Sequence, residues 1–162
     1  MSPWASRRST RHAYHVALQV SVIGSGSEWA ETAEEIGRLL GERGCTVVTG
    51  GLGEVMEAAH RGAKSAGGTT IAILPGEERV AANEWADHVV VTGIGHARNL
   101  AVAASGDAVI AVGGSWGTLA EIAFARLLGR RVVALVGAPA VEGLAVASTP
   151  AEAVDLALRD LE

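Results

Sequence analysis

Four times in this chain a short run rich in β-branched residues breaks at a cluster of glycines and passes directly into a helical pattern: at Gly24-Ser25-Gly26, Gly50-Gly51-Leu52-Gly53, Gly93-Ile94-Gly95 and Gly113-Gly114-Ser115-Trp116-Gly117. A strand followed at once by a helix cannot form a tight hairpin with the next strand. The helix carries the chain back, so the next strand runs parallel to the first. Repeated through 162 residues, this alternation predicts one α/β domain with a doubly wound, mainly parallel sheet and helices on both faces.

The changes of period place the elements. Strands are expected at 15–23, 46–49, 69–74, 88–91, 107–112 and 131–136, the fifth being the most hydrophobic and therefore expected near the sheet centre. The first helix should be capped by Ser27 and bury Ala33, Ile36, Gly37 and Leu40, which follow i, i+3, i+4, i+7. Further helices are expected at 54–66, 97–105 and 118–128. Thr149-Pro150-Ala151-Glu152 has the residues of a capping box and should open a last helix that runs to about Leu161. Residues 1–12, with Arg7, Arg8 and Arg11 among serines and threonines, read as a frayed tail before a domain at 13–162, and the polar stretch 77–87 as a mobile loop able to cover a site.

Charge and residue counts narrow the partners. A formal charge of −5 supplies no basic field for nucleic acid, and six aromatics (4 Trp, 1 Tyr, 1 Phe) are too few for a base-stacking platform. The longest apolar runs, 108–112 and 132–136, are strand-sized, so no membrane span is expected. One cysteine, Cys45, cannot form an internal bridge and fits a reducing, cytoplasmic setting. The only lysine is Lys64, deep in the second helix; this removes both P-loop hydrolysis and a pyridoxal phosphate Schiff base, each of which needs a lysine at the site.

In a doubly wound sheet all strand-to-helix turns emerge on one edge, and ligands lie there where the winding reverses. Glycine turns let backbone N–H groups approach an anion, and each following helix points its positive end at the same place. Gly24, Ser25, Gly50, Gly51, Gly53, Gly113, Gly114, Ser115, Gly117 and Thr118 are therefore expected to cradle a phosphate. The dinucleotide fingerprint is incomplete, since Gly24-Ser25-Gly26 lacks its third glycine and no acidic residue follows the second strand. Arg98 falls in the first turn of a helix, where the dipole disfavours a cation unless an anion is near. Glu121 lies one turn into the helix opened by Gly117-Thr118, placed to project over the glycine turn. Glu54 and Glu57 read chiefly as complements to a helix dipole. Trp116 could stack on a base or pterin, or pack against a second subunit. His60, His88 and His96 have no metal-ligand spacing with Cys45 or the carboxylates, so no metal site is expected.

The run Gly113-Gly114-Ser115-Trp116-Gly117-Thr118-Leu119-Ala120-Glu121 resembles the PGGxGTxxE signature of the Lonely Guy (LOG) family, whose Rossmann-like members are often misnamed lysine decarboxylases. Gly50 to Glu57, the strand Ile71 to Leu74 ending at Pro75, and Ala97-Arg98-Asn99 match further segments of that family, together covering most of 16–136. The resemblance implies hydrolysis of the N-glycosidic bond of nucleoside 5′-monophosphates to base and ribose 5-phosphate, with Arg98 and Glu121 as catalytic residues, no required cofactor, and a homodimer or larger homo-oligomer. Gly113 stands where that signature has proline, Ser115 where it has its second glycine, and Asn99 where lysine is usual. With Gly53-Glu54-Val55-Met56-Glu57-Ala58 and the segment from Thr92 to Asn99, these departures resemble the sister branch that includes molybdenum cofactor carrier proteins, which implies as the alternative a non-catalytic carrier or sensor of a phosphorylated pterin.

Overall fold

A computed structural model of the chain describes residues 16–135 and 137–162; the tail expected at 1–12 lies outside them. Seven strands form one sheet: β1 (Gln19–Ser25), β2 (Thr46–Thr49), β3 (Thr69–Leu74), β4 (His88–Val91), β5 (Ala108–Gly113), β6 (Arg131–Leu135) and β7 (Ala145–Ala147), in the order β4-β3-β2-β1-β5-β6-β7. Every pairing is parallel. Five α-helices connect them: α1 (Ala30–Glu42), α2 (Glu54–Ser65), α3 (Arg98–Ser105), α4 (Trp116–Leu127) and α5 (Pro150–Leu158).

Period-two alternation explains why both faces are covered. In β1, Val20 and Val22 join a core with α1, α2 and α5, whereas Ile23 joins a second core with Val102 of α3 and Ile122 of α4. The middle strands are buried on both sides, so they read as continuous apolar runs. β1 lies at the centre with β5 beside it, and between these two the winding changes direction. The register Gly24↔Val112 and Ser25↔Gly113 sets the first and fourth glycine turns side by side.

Several boundaries differ from the sequence expectation. Ser27 does not cap α1. Gly26, at φ 109, leads into a three-residue 3-10 turn (Ser27–Trp29), and α1 begins after it with no side-chain cap bond. Gly24 and Ser25 belong to the end of β1, and Gly113 to the end of β5, rather than to loops. The last helix stops at Leu158, not Leu161: the Arg131 guanidinium donates to the carbonyls of Leu156 (3.2 Å) and Arg159, and Asp160 turns to φ 63. β7 was not expected. The capping box is present in shifted form, the Thr149 Oγ1 accepting from the Glu152 N–H (3.2 Å) while the Glu152 carboxylate accepts from the Ser148 N–H (2.7 Å).

The stretch 77–87 departs most from expectation. Its second half is anchored: the Thr70 Oγ1 donates to the Trp85 carbonyl (2.6 Å), Asp87 accepts from the Thr70 N–H (3.0 Å) and pairs with Lys64 (2.8 Å), and the Asn83 N–H donates to the Gly51 carbonyl (3.0 Å).

Candidate functional site

The carboxyl ends of β1, β2 and β5 bring the expected residues to one edge. Gly50 and Gly51 are buried after β2, and a side chain at Gly50 would meet the Arg98 guanidinium at 2.7 Å, so this cation rests directly on the glycine turn. Arg98 opens α3 and is 8% exposed; Glu121, from the second turn of α4, is 5% exposed. Their charged ends stand 4.0 Å apart. Asn99 accepts from the Arg98 Nη1 (2.6 Å), and its own Nδ2 faces Gly117. Thr118 is buried against Gly114.

The pair is poorly compensated. Among the described residues Arg98 Nε is one of two buried side-chain nitrogens without a hydrogen-bond partner, an uncommon condition for a buried donor. Burial lowers the Arg98 pKa from its ordinary value, opposed by the Glu121 charge. Burial likewise pushes Glu121 up to about 7, with Arg98 only partly offsetting it. A buried cation with a spare donor, beside amides at the start of α3 and α4, is suited to an incoming anion.

The structure does not bring every expected residue to this centre. Trp116 opens α4 but is 84% exposed. Ser115 is exposed and its side chain makes no cap bond to its helix, and Leu52, Gly53 and Glu54 lie at the exposed rim.

Two structural roles escaped the sequence reading, that of Trp29 and that of His60 with its partner Asn83. The Trp29 indole packs where side chains at Gly113 and Gly137 would otherwise sit, at 2.2 and 2.1 Å from their would-be Cβ positions, and so joins the ends of β5 and β6. His60, completely buried in α2, contacts Thr49 Oγ1 (3.1 Å) and Asn83 Nδ2 (3.1 Å). The available signals were a tryptophan three residues beyond a glycine turn and a histidine on the apolar face of a helix.

Residues 17–156 match the model of the SLOG cluster4 family. The chain belongs to that family. An uncharacterized protein of Archaeoglobus fulgidus is 45% identical over 141 residues, 85% of this chain and 93% of that protein. This SLOG chain is also similar in structure to the molybdenum cofactor binding protein of the phototrophic bacterium Rippkaea orientalis, with a TM-score of 0.83, 30% identity, and coverage of 92% of this chain and 100% of that one. The molybdenum cofactor carrier protein of Chlamydomonas reinhardtii gives a TM-score of 0.81 and 31% identity over 90% and 99% of the two chains. The Rossmann-like fold and the carrier-like branch expected from the sequence are both borne out.

Proposed function

We propose that this SLOG protein binds a small phosphorylated ligand of pterin type, such as the molybdenum cofactor, at the carboxyl edge of β1, β2 and β5, and carries it without turnover. The observation that carries this reading is the near-complete overlap, at 30% and 31% identity, with two proteins described as binding or carrying that cofactor. The site is compatible with it: the Gly113–Thr118 and Gly50–Gly53 turns offer amides to phosphate, and Arg98 offers the neighbouring charge. No further cofactor is needed, and the reduced, buried Cys45 suits a cytoplasmic setting. No described helix is long and apolar enough to cross a membrane.

One observation favours a second reading, a nucleoside 5′-monophosphate phosphoribohydrolase. Glu121, raised to about 7 beside Arg98, could stabilise oxocarbenium character at a ribose while orienting water. A homo-oligomer belongs to the proposal as well: Leu100 on α3 and Trp116 and Leu127 on α4 are exposed by 44%, 84% and 83%, the kind of apolar surface that packs against a second copy.

The test is a thermal-shift series with AMP, ribose 5-phosphate and molybdopterin-type ligands, followed by chromatography of the bound material. The carrier reading expects stabilisation and recovery of intact ligand. Released base and ribose 5-phosphate, abolished in Glu121→Gln, would replace it with the hydrolase.

A further inference from the structure

His60 is a large polar group sealed in the apolar interior of α2, and its surroundings define its state. The Trp85 N–H donates to Asn83 Oδ1 (3.0 Å), which orients the Asn83 amide so that Nδ2 faces His60 Nδ1 at 3.1 Å and the Gly51 carbonyl at 3.4 Å. His60 Nδ1 thus meets the Asn83 amide, with Nδ2 at 3.1 Å and Oδ1 at 3.4 Å, and His60 Nε2 is hydrogen-bonded to Thr49 Oγ1 (3.1 Å). The same Thr49 oxygen accepts from the Gly51 N–H (3.0 Å). Both sides of the Gly51 residue are thus held, its N–H by Thr49 and its carbonyl by Asn83, and His60 bridges the two clamps.

What the clamps hold is the seat of Arg98. Gly51 has φ 79, and its neighbour Gly50 carries the Arg98 guanidinium against its α-carbon. A shift of this turn alters where Arg98 stands relative to Glu121. We propose that His60 is a positioning residue for the ligand site: by bridging Thr49 and Asn83 it fixes the Gly50–Gly51 backbone and so the place of the Arg98 guanidinium beside Glu121. The effect on ligand rests on the proposed phosphate-binding role of this edge; the effect on the Arg98–Glu121 pair does not. A buried histidine bonded on both sides is also the ordinary furniture of a core. The distinguishing prediction is that its loss is felt at Glu121, on another helix and the opposite face of the sheet.

The experiment compares the wild type with His60→Leu, His60→Gln and Asn83→Ala. Gln keeps a polar group toward Thr49, and Asn83→Ala, at a partly buried position, removes the amide that joins His60 to the Gly51 carbonyl while leaving the Asn83 backbone N–H on that carbonyl, which retains a readable variant if His60→Leu fails to fold. The first readout is the Glu121 titration midpoint, followed by carboxyl carbon NMR in folded protein without ligand. His60→Leu and Asn83→Ala are expected to move it from about 7 by roughly half a pH unit or more, with His60→Gln closer to wild type. The second is affinity for AMP, expected to weaken roughly 3- to 10-fold. Folded variants with an unmoved Glu121 midpoint overturn the proposal. A moved midpoint in a protein that binds no phosphorylated probe leaves the positioning role standing and removes the functional reading instead.

Discussion

The Glu121 carboxyl is raised even though the Arg98 guanidinium stands 4.0 Å away, because side chains only 7% and 9% exposed lose more hydration than a single pairing at that distance returns. The folded protein therefore holds a proton on Glu121 that the unfolded chain releases at ordinary carboxylate pH. Its stabilising contribution is complete below about pH 4.5, declines as pH rises, and is lost above about 7. At roughly 1.4 kcal/mol per pH unit the loss is on the order of 3 kcal/mol. Glu121→Gln should thus unfold at a higher temperature than wild type at pH 8, with the gap closing toward pH 4.5. His60, held down to about 4 by burial, gives the opposite slope, losing stability as pH falls below its ordinary 6.5. That slope is common to both proteins and drops out of the comparison. Melting curves across this range test it; a gap independent of pH counts against a buried, proton-holding Glu121.

Gly113 stands where the Lonely Guy signature has proline, and the backbone explains why. Its φ is 59, whereas a proline ring requires about −65, and the space above it is filled by Trp29. Gly113→Ala should cost roughly 2–4 kcal/mol from backbone strain and the Trp29 collision together. In a Trp29→Ala background the same substitution should cost less. Denaturant unfolding of the four proteins checks this, and strict additivity would show that the two residues do not share the space.

The exposed stripe on α3 and α4 predicts assembly. Trp116→Glu with Leu127→Glu should shift a dimer or larger species toward monomer in light scattering, while changing monomer stability by less than about 0.5 kcal/mol, since both side chains are more than four-fifths exposed. An unchanged mass would place any oligomer contact elsewhere.

At the far end of the chain, Thr149→Ala removes the acceptor for the Glu152 N–H. A loss of about 1 kcal/mol is expected, measured by chemical denaturation, with no change in binding of a phosphorylated probe, because α5 packs chiefly on α1, β6 and β7, away from the elements that carry Gly50, Arg98 and Glu121.

What the sequence revealed follows from which forces are local. The turns at Gly24, Gly50 and Gly113 were legible because a strand-to-helix reversal near a ligand edge favours glycine, and Arg98 because a cation in a first helical turn asks for an anion. Arg98 and Glu121 then proved to be neighbours. Ser27 misled because a hydroxyl before a helix usually caps it, whereas the positive φ of Gly26 inserts a 3-10 turn first. Ala145-Val146-Ala147 carries no pattern of its own and is a strand only because β6 offers an edge. The roles of Trp29, His60 and Asn83 could not be assigned from their local signals, because their partners, Gly137, Thr49 and Gly51 among them, come close only in the finished fold.

The pairing of β1 with β5 also governs when the protein becomes competent. The Gln19 N–H donates to Asp107, 88 residues further along the chain, and the adjoining register sets Ser25 against Gly113. Three helices and three strands must be made before those two turns can meet. During synthesis the first half of the edge proposed to bind ligand therefore waits, without its counterpart, until most of the chain has left the ribosome, so a ligand that needs both turns would report completed folding rather than nucleate it.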